Sequence, residues 1–141
     1  MDKNVTTGQK DSLGSDAHKA AVLRANAKSM ALWQAIGQKI GKSSDPVSHL
    51  QNALDWVQKF QPRTPNVPYL TDWERLLREA VASPEAACNM LNWITTCEDD
   101  YAITMRSCSP FPGVLTQKER TEVLVRFALN YGGNNGAEDG R

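Results

Sequence analysis

The chain has 141 residues, with 16 Lys+Arg balanced by 16 Asp+Glu, two histidines and three cysteines. At that length one domain is expected, burying roughly 68–70 % of the surface its unfolded chain exposes. Balanced charge and a pI near 6.7 provide no long-range field for phosphate or anionic lipid, which argues against general nucleic-acid or membrane-surface binding.

The apolar runs are only a few residues long, too short to span a bilayer. The opening MDKNVTTGQKDSLGSD lacks the apolar core of a signal peptide. Cys88, Cys97 and Cys108 lack the close paired spacing of a zinc site. Free thiols in a reducing cytoplasm are the simpler reading, with no metal and no cofactor.

In chain order, residues 1–14 are polar and aperiodic and read as a disordered arm. Ser15-Asp16 then carries capping chemistry for the longest helix, which should run to about Ile40. Leu23, Ala27, Met30, Trp33, Gly37 and Ile40 step along one face of it, and Gly41 is a plausible stop. Asp45-Pro46 opens a second helix, with Val47, Leu50, Leu54, Val57 and Phe60 as its buried stripe and Trp56 on the flank. Pro62 should end it, and the three prolines of residues 61–70 predict an extended connection.

Thr71 and Glu74 have capping-box spacing for a third helix carrying Trp73, Leu76, Leu77, Ala80 and Val81. Ser83-Pro84 restarts the pattern in a fourth, with Ala87, Met90, Leu91 and Ile94 inward and Cys88 as a small core residue. Cys97, Tyr101 and Met105 extend its stripe and predict helix to about Met105, with a short strand at YAITM as the alternative. Ser109–Gly113 is a break. Thr116 and Glu119 repeat the capping box before a last helix that turns Val123, Leu124, Phe127, Ala128 and Tyr131 inward. Gly132-Gly133 should stop it, leaving 132–141 as a flexible tail. The expectation is an all-α, single-domain bundle of about five amphipathic helices spanning residues 15–131.

The chemistry-bearing residues are few. His18 and His49 lack a Cys, His or carboxylate three or four residues ahead that would make a helical metal pair. Asp45 stands four residues before His49, where it serves as the helix cap. Glu98-Asp99-Asp100 is the single acidic run and reads as a solvated helix face or end. Neither GxSxG, GxxxxGK[ST] nor GxGxxG occurs. The enzymatic reading that survives is a nucleophile or carboxylate beside His49, namely Cys97, Cys108 or Asp55.

Leu115-Thr116, Glu119-Arg120 and Val123-Leu124 together are similar to the first helix of response-regulator-type DNA-binding helix-turn-helix domains. Such a domain needs a further helix for the major groove. NNGAEDGR follows here, so the resemblance is confined to a shared helix start.

The leading expectation is a non-enzymatic cytoplasmic protein that binds another protein or a second copy of itself. A regulator, adaptor, inhibitor or assembly factor would fit. Trp33, Trp56 and Trp93 are the candidate contact residues, because buried aromatic anchors dominate such interfaces. The alternative is a nucleic-acid-associated regulator using Arg24, Lys28, Lys39 and Lys42 of helix one as a local basic patch. An enzyme centred on His49 is the third.

Overall fold

A computed structural model describes the backbone of residues 2–63 and 68–139 and the side chains of 15–63 and 69–131. Six helices follow one another: α1 (Asp2–Lys42), α2 (Pro46–Phe60), α3 (Pro68–Ala82), α4 (Pro84–Ile94), α5 (Asp100–Ser107) and α6 (Gln117–Asp139). A single 3-10 turn, Gln61–Arg63, follows α2, and there is no strand among the described residues. The expected arm (1–14) and tail (132–141) lie outside the residues whose side chains are described, as do residues 64–68 of the expected linker.

Three starts follow the capping chemistry of the sequence. The Asp45 carboxylate accepts from the Ser48 amide (3.2 Å) ahead of Pro46, and the Ser83 hydroxyl from the Ala86 amide (3.2 Å) ahead of Pro84. At α6, the Thr116 hydroxyl accepts from the Glu119 amide (3.1 Å) and the Glu119 carboxylate from the Thr116 amide (2.8 Å), a complete capping box.

The Thr71 capping box does not form. α3 begins earlier, at Pro68, and Thr71 sits inside it, accepting from the Gln61 amide group (2.8 Å), while Glu74 pairs with Arg78. Burial of Leu70 against the core rewards the extra turn, and proline is suited to a helix's first residue. Gly41 is likewise helical, within α1, and is no left-handed stop.

The fourth expected helix is two. α4 ends at Ile94, where the Thr95 and Thr96 hydroxyls donate back to the Leu91 (2.7 Å) and Asn92 (2.6 Å) carbonyls. Such back-bonding competes with helix continuation. Asp99 then caps α5 by accepting from the Ala102 amide (2.8 Å). The acidic run therefore starts a helix, and YAITM is helical.

The core gathers α2, α3, α4, α5 and the C-terminal half of α1, with α2 against α3 the most extensive packing. At its centre Trp33 of α1 stacks on Trp73 of α3, centroids 5.5 Å apart and planes within 1°. Phe111, from the break after α5, meets both edge-on at 5.4 and 6.0 Å. The two indole N–H groups donate to consecutive carbonyls, Trp33 to Arg106 (3.0 Å) and Trp73 to Met105 (3.0 Å). Those carbonyls belong to the last turn of α5, where helix geometry leaves acceptors without intrahelical donors.

Several expected inward residues are outside. Leu23 is 65 % and Val47 46 % exposed, Cys88 and Ala128 are exposed, and the other expected inward residues of α6, Val123, Leu124, Phe127 and Tyr131, are half-covered. For Leu23 and Ala128 the cause is the position of their helices: α1 runs past the core, and α6 packs mainly on α1.

Two glycines of α1 give opposite predictions. A Cβ on Gly37 would meet Thr95 Cγ2 at 3.0 Å, and Thr95 is held by its bond to Leu91. Gly37→Ala is expected to lower stability despite alanine's better helix propensity. A Cβ on Gly41 meets nothing within 4 Å, so Gly41→Ala should raise stability by about 0.5–1 kcal/mol. Urea midpoints of the two variants decide both signs.

Candidate functional site

α6 lies along α1 and forms an outer layer against it. Arg24 places its guanidinium over the rings of Phe127 and Tyr131, 5.2 and 5.1 Å from their centroids. Further along, Lys39 is paired with Glu119. These contacts join a helix with basic residues on one side to one that offers rings and a carboxylate. Hydrogen bonding from Lys39 and from the Thr116 amide holds the Glu119 carboxyl down at about 2.

The sign follows directly. A carboxyl whose folded value lies below the ordinary 4.5 contributes its stability above that pH and loses it as the pH falls toward about 2. Glu119→Gln, which keeps the capping box, should therefore melt below wild type at pH 5 and converge with it near pH 2. A constant gap across that window would show that Lys39 and Glu119 are not coupled.

Two larger clefts flank the layer. One, of about 600 Å³, is lined by Lys39, Lys42, His49, Glu119, Glu122 and Arg126, so its charges are mixed and largely self-compensating. The other, of about 580 Å³, runs between α1 and α5 to Tyr131 of α6. Leu23, Ala27, Met30 and Ile103 make it largely apolar, with Asn26, Gln34, Glu98 and Arg106 as its polar lining. Leu23, Val125 and Leu129 around this layer expose 65, 52 and 68 % of their surface.

The structure separates the expected site residues. Trp33, 2 % exposed, belongs to the core and offers no surface to a partner, which corrects its place among the contact residues. Trp56 is half-buried and packs on Phe60, with centroids 4.8 Å apart. Trp93 is half-buried beneath Tyr101 (5.8 Å), whose hydroxyl donates to Asp72 (2.6 Å).

The basic residues of helix one are divided. Arg24 is spent on rings and Lys39 on Glu119, Lys42 lies in the mixed-charge cleft, and Lys28 lines a separate one. His49 is half-buried. It lines the mixed-charge cleft and a small cavity beside Trp56, and neither contains Cys97, Cys108 or Asp55. Asp55 accepts from Gln51 (2.9 Å) instead. Among the described residues no group of three or more His, Cys, Asp or Glu could hold a metal ion, and no helix is long and apolar enough to cross a membrane.

Arg106 is the residue that sequence reasoning passed over. It is 4 % exposed, and its Nη1 donates to the Ile94 (3.0 Å) and Cys97 (2.7 Å) carbonyls at the end of α4. No carboxylate lies within 4 Å among the described residues, although Glu98 and Asp99 are near enough to favour its charge against desolvation, which pulls its pKa down. Its signal was present: it stands four residues after the buried Ala102, on the inward face of α5. No protein-family model, curated protein or solved structure matches the chain. Fold and surface together define an all-α bundle whose outer two-helix layer is only partly covered.

Proposed function

We propose that the chain acts by binding another protein through the outer surface of α1 and α6, with a second copy of itself as the first occupant to test. The supporting observation is where apolar surface remains. Val22 and Leu23 on α1 and Val125 and Leu129 on α6 are 41, 65, 52 and 68 % exposed. They fall on two helices that pack against each other, and apolar exposure concentrated in one layer is what an interaction surface presents, whereas a single residue such as Val47 is not. Two such helix pairs placed face to face complete a four-helix arrangement and cover these side chains. Three free cysteines suit a reducing, cytoplasmic setting.

Sedimentation velocity over a concentration series tests the reading, with Leu23→Glu/Leu129→Glu as the matched variant. A mass above 15.6 kDa that rises with concentration and collapses in the variant supports self-association. A wild-type monomer whose captured partners are lost by the variant assigns the surface to a different protein. A monomer whose captured proteins are the same with and without the substitutions overturns the reading.

A further inference from the structure

We propose that a cleft between α1, the end of α5 and the start of α6 binds a phosphate group through Lys28, Arg106 and Arg120. The cleft is about 250 Å³. Its polar lining is those three cations with the hydroxyl-bearing Ser29 and Ser109, and it contains no carboxylate. In a chain with 16 basic and 16 acidic residues, three positive groups around one small space are a local excess that the fold has assembled. They come from three separate elements, and none of the three makes an ion pair among the described residues. Glu119, the neighbour of Arg120, is committed to Lys39 and lines the cleft on the other flank.

Arg106 makes this more than a patch of surface charge. Its side chain is fixed by two carbonyls through Nη1, while Nε and Nη2 have no partner among the described residues and are not sealed from solvent. A pre-positioned guanidinium with free donors is the group that recognises planar or tetrahedral oxyanions. Leu32, Trp33 and Ile36 supply apolar lining to the same cleft, and low-polarity surroundings strengthen the attraction between the cations and an anion.

Charge balance selects the ligand. A carboxylate would offset one of three positive charges, whereas a phosphate monoester carries about −1.5 to −2 at neutral pH and three acceptor oxygens. Size sets the limit. Pockets that enclose whole drug-sized ligands run from about 300 to 1,000 Å³, so this one accommodates the phosphate and the atoms next to it.

Isothermal titration calorimetry at fixed ionic strength tests the assignment on the full chain, with inorganic phosphate, O-phosphoserine, adenosine monophosphate and acetate as probes. One saturable site for at least one phosphate-bearing probe is expected. Lys28→Gln and Arg120→Gln should each weaken it by about tenfold, the loss of roughly one charge-assisted hydrogen bond. Lys118→Gln, outside the cleft, should leave it unchanged. Both test positions are exposed and away from the core, so the variants fold. The tightest of the three phosphate probes names the source: the free ion, a phosphorylated protein segment or a nucleotide. The proposal is overturned if no phosphate-bearing probe saturates, if acetate binds as tightly, or if both cleft variants bind as wild type does.

Discussion

Trp73→Ala is expected to cost about 3–5 kcal/mol, the range for removing a large aromatic from a packed core, and to leave the domain unfolded or barely folded at 25 °C. Natural domains of this size hold about 5–15 kcal/mol in total. Trp73 has no exposed surface. Its removal deletes one face of the stack on Trp33, one edge contact with Phe111 and the donor to the Met105 carbonyl. Trp33→Ala should behave alike, since it removes the other half of the stack and the donor to the Arg106 carbonyl. Trp73→Phe separates the contributions: it keeps most of the apolar volume and loses the hydrogen bond, so it should cost less than alanine. Chemical denaturation followed by circular dichroism measures all three. A Trp73→Ala variant with an unchanged midpoint would mean that the stacked pair is not the centre of the fold.

Arg106→Met is expected to destabilise by about 2–4 kcal/mol, because one buried and one partly buried carbonyl lose their donor at once. Methionine matches much of the arginine stem, so lost packing is a small part of the effect. The Ile94 and Cys97 carbonyls lie in the corner between α4 and α5, and without Nη1 these two acceptors lose their side-chain donor. Arg106→Lys keeps the charge but offers a point donor in place of a fork, so it should recover part of the loss. Urea midpoints order the three proteins as wild type, lysine, methionine. A methionine variant as stable as wild type would show that burying the charge costs as much as its two bonds return, a balance known for buried ionic groups.

These two sites differ in how far they could be read in advance. The helical stripes placed Trp73, Leu77, Leu50, Val57 and Ile94 inward, and all five are at most 0 % exposed. Asp45, Ser83 and Thr116 were legible as caps because capping depends on residues within one turn of each other. Phe111 was not legible as core. It sits in a proline-and-glycine break that local chemistry marks as surface loop, and only the space beside the stacked Trp33 and Trp73 draws it in. Leu23 erred the other way, since periodicity assigns a face to a helix but does not say where along the helix the neighbours end. The candidate sites were less legible still. Lys28 was noted for its place in the sequence, but Arg106 and Arg120 become its companions only because α5 and α6 converge on α1.

By itself, then, the sequence determined that the chain is helical, where α2, α4 and α6 begin, and which faces are apolar, because those properties rest on bonds and periodicities a few residues long. The tertiary structure decided which apolar faces found cover, which two tryptophans were sealed, and which cations were neutralised. Each of these depends on contacts between residues tens of positions apart, such as Trp33 with the Arg106 carbonyl and Lys39 with Glu119. Local pattern cannot specify such pairings, since burial and charge compensation are properties of the packed chain and not of any one helix.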